Sequence, residues 1–207
     1  SAMLPEAVYL ERKEILKNIA NFSVFLIGCG LGLTSASVKI FKQVITRLQK
    51  ETAPVVIDAD GLNILAKLQI KLPQNTIITP HPLEAARLLG LNLEDILSDL
   101  EGSAKKLVEK YNCVTVLKTH RTIICDKNNL FINEYGNSAL AKAGSGDVLA
   151  GIIAGLLAQK MALFEAAKLG DYLHSRAGEI ASGDLTEYSV LATELPGNIH
   201  KAIKEIL

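Results

Sequence analysis

What this 207-residue sequence lacks narrows its functions before any motif is read. Neither charge is in excess: Lys+Arg and Asp+Glu both number 22, with no run of like charge. A basic face for nucleic acid is therefore not expected. Cysteine is sparse. Cys29, Cys113 and Cys125 are odd in number, scattered in apolar stretches and without CxxC spacing. They read as buried thiols of a reducing cytoplasm, not as a disulfide frame or zinc site. No apolar run approaches the ~20 residues that span a bilayer, and the start, SAMLPEAVYLERKE, is too charged for a signal peptide. Repeats, low-complexity tracts and linkers are missing. So are two nucleotide motifs. There is no GxxxxGK[ST] loop, and the turn GCGLG (28–32) is not a GxGxxG fingerprint, so neither a P-loop nor a dehydrogenase is implied. The remainder, 49% hydrophobic and 21% charged with no Trp, suits one soluble, cytoplasmic domain spanning 1–207.

A rhythm runs along the chain. SVFLIGCG (23–30), APVVIDAD (53–60), NTIITPH (75–81) and CVTVLKT (113–119) are apolar runs alternating with helical patterns. Strands without polar alternation are buried on both faces, which predicts a mostly parallel central sheet flanked by helices, a three-layer α/β fold. RTIICDK and NLFINE then predict a hairpin around Asp126 to Asn129. From Asp147 onward three helices are expected, at 147–160, 163–181 and roughly 190–206.

Ligands of such sheets sit at the carboxyl ends of the strands. The unusual residues collect there: GCGLG, DADGLN, TPHPLE, KTHRT, and GSGD at the mouth of a long helix. The last is the most telling. Gly144-Ser145-Gly146 carries Asp147 directly into eleven uncharged residues, Val148 to Ala158. The first amides of a helix have no intrahelical partner and the dipole is positive there. The glycines admit close backbone approach, so the loop suits a phosphate. Asp147 then reads as a base beside a bound phosphate, poised to take a proton from an attacking hydroxyl. The competing reading is an ordinary helix cap. A cap does not require glycine on both sides of Ser145.

Other strand ends leave alternatives open. His81, between Pro80 and Pro82, and Glu84 are either ligand contacts or a loop histidine with a capping glutamate. Asp58 and Asp60, if both in a strand, point the same way and could share a metal or a base role; Asp60 could equally cap the next helix. Gly30 and Gly32 allow close approach of a ligand or simply a tight turn. His174 and His200, on helical segments, read as surface or interface residues. The amphipathic EILKNIA and KKLVEKY faces read as solvated surface.

AGSGDVLAG resembles the anion-hole signature of the ribokinase-like superfamily. With VVIDADGLNIL, IITPHPLEAARLLG, VLKTHRTIICD and SVLATELPGNIHKAI in order, the chain is similar to the ADP/ATP-dependent NAD(P)H-hydrate dehydratase family from about Phe25 to its end. The resemblance implies a ribokinase-like fold. It implies ADP- or ATP-dependent dehydration of the S-form of NAD(P)H hydrate, with AMP and phosphate released when ADP is the donor. Mg2+ is expected with the nucleotide. Asp147 would be the base. Gly30, Gly32, Asn63, His81, Glu84 and Asp147 would line the substrate side. Lys118, Thr119, His120, Arg121, Thr122, Gly144 and Gly146 would hold the nucleotide; Thr119 and His120 stand where the family usually has glycine and a small residue. No dedicated metal ligand is expected, and a homo-oligomer is.

The family usually opens with KGxxGxVLxxGGSxxxxGA, and nothing like it precedes LPEAVYLERKE. The expectation is a fragment of a longer chain whose sheet edge is covered by that missing segment or by an epimerase domain. A vitamin-precursor kinase of the same superfamily is a second reading, although such kinases usually carry DPV and TPN turns. A nucleotide-binding module without turnover is a third.

Overall fold

The computed structural model describes residues 7–207; the first six residues of the expected 1–207 domain, and of the charged opening stretch, lie outside it. Six strands form one sheet in sequence order: β1 (Phe25–Ile27), β2 (Val55–Ile57), β3 (Thr76–Ile78), β4 (Val114–Leu117), β5 (Ile123–Cys125) and β6 (Leu130–Ile132). β1 to β4 are parallel, with Ile27 opposite Ile57 and Ile57 opposite Ile78. β5 and β6 run antiparallel as the expected hairpin, closed by Asp126 N–H donating to Asn129 O at 3.0 Å.

The inner strands β2 to β5 are uncharged because both faces are covered. Val55, Ile57, Ile78 and Leu117 pack on one side, against α2 (Ser35–Leu48), α3 (Asp60–Leu68), α4 (Pro82–Leu89) and α6 (Leu100–Tyr111). Val56, Ile77, Val114 and Val116 pack on the other, against α7 (Ser145–Ala158) and α8 (Leu163–Leu185). Neighbours along a strand alternate between the two cores, as the pleat requires. Each early crossover leaves its helix on the same face, so with right-handed connections every new strand is added on the same side. Spatial order therefore equals sequence order for the parallel strands. α1 (Arg12–Asn18), the short α5 (Leu93–Ser98) and α9 (Leu195–Lys204) complete the helices. Among the described residues, no helix is long and apolar enough to cross a membrane.

The late helices differ from expectation at their ends. α8 continues to Leu185 through a polar turn, because Gly183 and Asp184 face solvent and interrupt the apolar pattern without interrupting the helix. α9 starts only at Leu195: Pro196, with its fixed φ, sits at the helix start. Cys113 and Cys125 are buried as expected, while Cys29 is half-buried at the sheet's carboxyl edge.

Candidate active site

The carboxyl ends of β2 to β4, the segment after β6, the start of α7 and one face of α8 enclose a cleft of about 890 Å3. Its floor is an ion pair joining two strand ends. Asp58, just past β2, is 1% exposed, and Lys118, just past β4, donates to its Oδ1 at 2.7 Å. The Lys118 amide donates to Pro80 O at 2.8 Å, locking the end of β4 to the β3 turn. Burying such a pair gives little net stability. It does fix a cation in place: a Cβ built on Gly146 would lie 3.2 Å from Lys118 Nζ.

Above that cation α7 begins without a side-chain cap. Its N-cap is Gly144, at φ 88°, and no side chain bonds to its first amides. The first closing bond is Val148 N–H to Gly144 O at 3.2 Å. Ser145 N–H already donates to Lys142 O. Gly146 and Asp147, at the second and third helical positions, precede the first intrahelical donor and are directed past the helix end. Glycine at 146, a lysine ammonium beside it and a positive helix end together suit an anion. The capping reading of Asp147 is thus not what the structure contains.

Asp147 is exposed in the cleft and lies beside Cys29 and Asp58, with one ligand atom from each within 4.8 Å of the others. Burial first, and the Asp147 carboxylate second, push the Cys29 thiol up to about 12, so it stays protonated. Mg2+ takes oxygen ligands and keeps several waters. The two carboxylates fit a magnesium ion brought in on phosphates; a protonated thiol does not.

On the opposite wall His81 caps α4. Its Nδ1 accepts from Leu83 N–H at 3.2 Å and Glu84 N–H at 3.4 Å, and Glu84 Oε2 accepts from His81 N–H at 2.9 Å. Both side chains still line the cleft. Partial burial, then Lys118 and Arg87, lower the His81 pKa; burial raises that of Glu84.

Lys118, Thr119, His120, Thr122, Gly144, Gly146 and Asp147 share the cleft with His81 and Glu84. Gly30, Gly32, Asn63 and Arg121 do not line it. Gly32 N–H donates to Asp60 Oδ2 at 2.7 Å, Asn63 Oδ1 accepts from Arg87 at 2.7 Å, and Arg121 pairs with Glu134. The close approach that demands glycine in the first turn is at Gly28: a Cβ there would lie 1.8 Å from Asp58 O. Asp58 and Asp60 do not act together. β2 stops at Ile57, Ala59 takes φ 49°, and the two carboxylates separate toward Lys118 and Gly32.

His174 requires a correction. It is 6% exposed, lines the cleft from α8, and its Nε2 lies 3.0 Å from Ser145 Oγ. Burial lowers its pKa to about 4. One turn earlier Asp171, equally buried, accepts from Asn133 at 2.7 Å and is pushed up to about 6 by desolvation. The signal in the sequence was steric. Ala167, Gly170, Ala177, Gly178 and Ala181 put a small-residue face on α8, and that is the buried face.

A profile of the NAD(P)H-hydrate dehydratase family matches residues 2–201. The chain belongs to that family. The ADP-dependent (S)-NAD(P)H-hydrate dehydratase of Neisseria meningitidis serogroup B is 38% identical over 185 residues, covering 86% of this chain and 62% of its own length. A ribokinase-like superfamily protein of Enterococcus faecalis superposes with a TM-score of 0.89 at 32% identity, covering 99% of this chain and 72% of that one. The Bacillus subtilis ADP/ATP-dependent NAD(P)H-hydrate dehydratase, co-crystallised with ATP/Mg2+, superposes with a TM-score of 0.85 at 29% identity, covering 100% of this chain and 74% of that one. The three-layer fold is therefore ribokinase-like. As a member of the dehydratase family, the chain spans less than two thirds of its Neisseria relative.

Proposed function

We propose that the protein carrying this chain uses ADP or ATP to dehydrate the S-form of NAD(P)H hydrate back to NAD(P)H. The observation that carries the reading is the uncapped start of α7, with Lys118 beside Gly146 and Asp147 open to the cleft. Asp147 takes the proton of the C6 hydroxyl as its oxygen attacks the terminal phosphoryl group. With ADP the leaving group is AMP. The Gly146 and Asp147 amides and the Lys118 ammonium receive the charge on the transferring group, donors aimed in advance where charge develops. The C6–O bond then breaks, phosphate leaves, and loss of a ring proton restores the C5–C6 double bond. Magnesium, carried with the nucleotide and held by Asp58 and Asp147, would neutralise phosphate charge. His81 and Glu84 bound the hydrated ring, and Thr119, His120 and Thr122 the nucleotide. Gly30, Gly32, Asn63 and Arg121 stay outside the contacts assigned here. A homo-oligomer in the cytoplasm, served by an epimerase, is the setting this reading calls for.

Incubation of the complete protein with the hydrate of NADH and ADP tests this directly. Return of NADH absorbance with equimolar AMP and phosphate is expected. A stable phosphorylated product, or transfer to a vitamin precursor in its place, would move the assignment to a kinase. Nucleotide binding without turnover under any donor would reduce it to a binding module.

A further inference from the structure

The loop at the mouth of α7 contains one residue that the proposed reaction leaves without a task. Ser145 lies between the two glycines, yet its side chain is 3% exposed and ends 3.0 Å from His174 Nε2. The glycines give the loop no stiffness of their own: Gly144 is in the left-handed region at φ 88°, and α7 has no side-chain cap. Backbone bonds close the turn locally, Ser145 N–H to Lys142 O at 3.2 Å and Val148 N–H to Gly144 O at 3.2 Å. The Ser145 side chain ties the turn to the protein interior. Its partner is rigidly set, because α8 packs on α7 so closely that a Cβ on Gly170 would meet Ile153 at 2.6 Å.

We propose that His174 is a positioning residue for the reaction: through the Ser145 hydroxyl it fixes the first turn of α7, and with it the aim of the Asp147 carboxylate and of the Gly146 and Asp147 amides. The bond holds in either tautomer of the ring. Burial keeps the imidazole neutral, so a single N–H and a single lone pair are available, and the serine hydroxyl completes whichever role Nε2 takes. Neither side chain needs to touch substrate. Loosening the tether lets the base drift, and a misplacement of about 1 Å can cost on the order of 10²-fold in rate. Nucleotide affinity is spared, because Lys118, Thr119, His120 and Thr122 lie outside the tethered turn and the amides act on the transferring group.

The turnover part of this inference rests on the dehydratase reading; the tether itself does not. The test uses the complete protein with Ser145→Ala, His174→Ala, the double variant and Ser145→Thr. Each single variant should lose roughly 10- to 100-fold in kcat, with the KM for nucleotide within about twofold of the parent. The double variant should be no worse than the poorer single, since both break one link. Ser145→Thr keeps the hydroxyl and should restore most of the rate. Losses that multiply in the double variant, a rise in KM at unchanged kcat, or Ser145→Thr as poor as Ser145→Ala would each overturn the proposal. If His174→Ala does not fold, Ser145→Ala, which removes one hydroxyl, carries the test with Ser145→Thr.

A second measurement is independent of turnover. In 15N spectra of the parent and Ser145→Ala, the His174 ring nitrogens and the Gly146 and Asp147 amides should all move, and return in Ser145→Thr. Unmoved resonances would show there is no tether. A parent with no dehydratase activity but with these shifts would overturn the function proposed above and leave the tether standing.

Discussion

Two helices begin at the same edge of the sheet and face the same cleft, α4 at Pro82 and α7 at Ser145. Each carries a carboxylate at its third helical position, Glu84 in one and Asp147 in the other. At α4 every device for closing a helix start is used. Proline at the first position has no amide to satisfy, His81 accepts from two amides, and Glu84 folds back to the His81 amide. At α7 the same positions hold glycine, serine, glycine and aspartate, and no side chain closes the end. Both ends carry the same dipole. A helix N-terminus is therefore not by itself a phosphate site. The open one suits a phosphate because it has no side-chain cap and a cation, Lys118, lies beside it.

The strongest way to break this comparison is at the two carboxylates. Asp147→Asn should lower turnover by about 10²- to 10⁴-fold, the usual cost of removing a general base. Thermal stability and nucleotide binding should hardly change, because Asp147 caps nothing. Glu84→Ala should show the reverse emphasis, a loss of about 1 kcal/mol of stability from the opened cap. Steady-state rates at saturating substrate and melting curves on the same preparations separate the two. Undiminished turnover in Asp147→Asn would remove its assigned role.

Beneath the open start, two buried groups on α8 titrate in opposite senses. Asp171 is raised from 3.8 to about 6, first by burial, against lowering hydrogen bonds from Asn133 and Thr122. Between those values the folded state keeps a proton that the unfolded chain has released. Its contribution is full below about 3.8 and lost as pH rises through about 6. His174 is lowered from 6.5 to about 4. Its contribution is full above about 6.5 and lost as pH falls toward about 4. Each shift is worth on the order of 3 kcal/mol, and the windows overlap, so in the parent they largely cancel. Asp171→Asn should lose about 3 kcal/mol relative to the parent between pH 7 and pH 4, and His174→Gln should gain a similar amount. Urea melts across that range decide it; two variants running parallel to the parent would show that the groups are not buried in this way.

The open start was legible in the sequence because its rule is local. Glycines around Ser145, a single carboxylate and an apolar continuation suffice to place it, and the apolar strand runs suffice to place it at a sheet edge. The tether behind it was not legible. His174 sits in a helix whose buried face is mostly small residues, so the inside is marked by the spacing of glycine and alanine and not by a stripe of large apolar side chains. Nor could spacing separate Gly28 from Gly30 and Gly32: only the distance to Asp58 O, just past the end of β2, shows which glycine is obligatory. A shared role for Asp58 and Asp60 fails for a related reason. Alternation along a strand holds only while the strand continues, and β2 ends before them.

The smallest expected effect tests whether the closed start is only a scaffold. His81 does two things at once: Nδ1 caps α4, and the ring borders the cleft next to Lys118. His81→Ala removes both, and should cost about 1 kcal/mol of stability from the lost cap. It should also weaken NAD(P)H-like ligands about fivefold, the equivalent of one neutral hydrogen bond of about 1 kcal/mol. ADP affinity should stay at the parent value, because the amides of α7 and Lys118 are untouched. His81→Asn divides the two roles. Asparagine is a good N-cap and would restore the helix start, but its shorter side chain cannot place a second polar atom where Nε2 stands. Stability should therefore recover in His81→Asn while dinucleotide affinity does not. Calorimetry with both ligands, beside melting curves, reads all three quantities from one preparation. If dinucleotide affinity returns with stability, His81 is a cap and nothing more, and the closed start serves the cleft only by holding its wall. If ADP weakens in step with the dinucleotide, the division of the cleft into two sides at His81 and Lys118 is wrong.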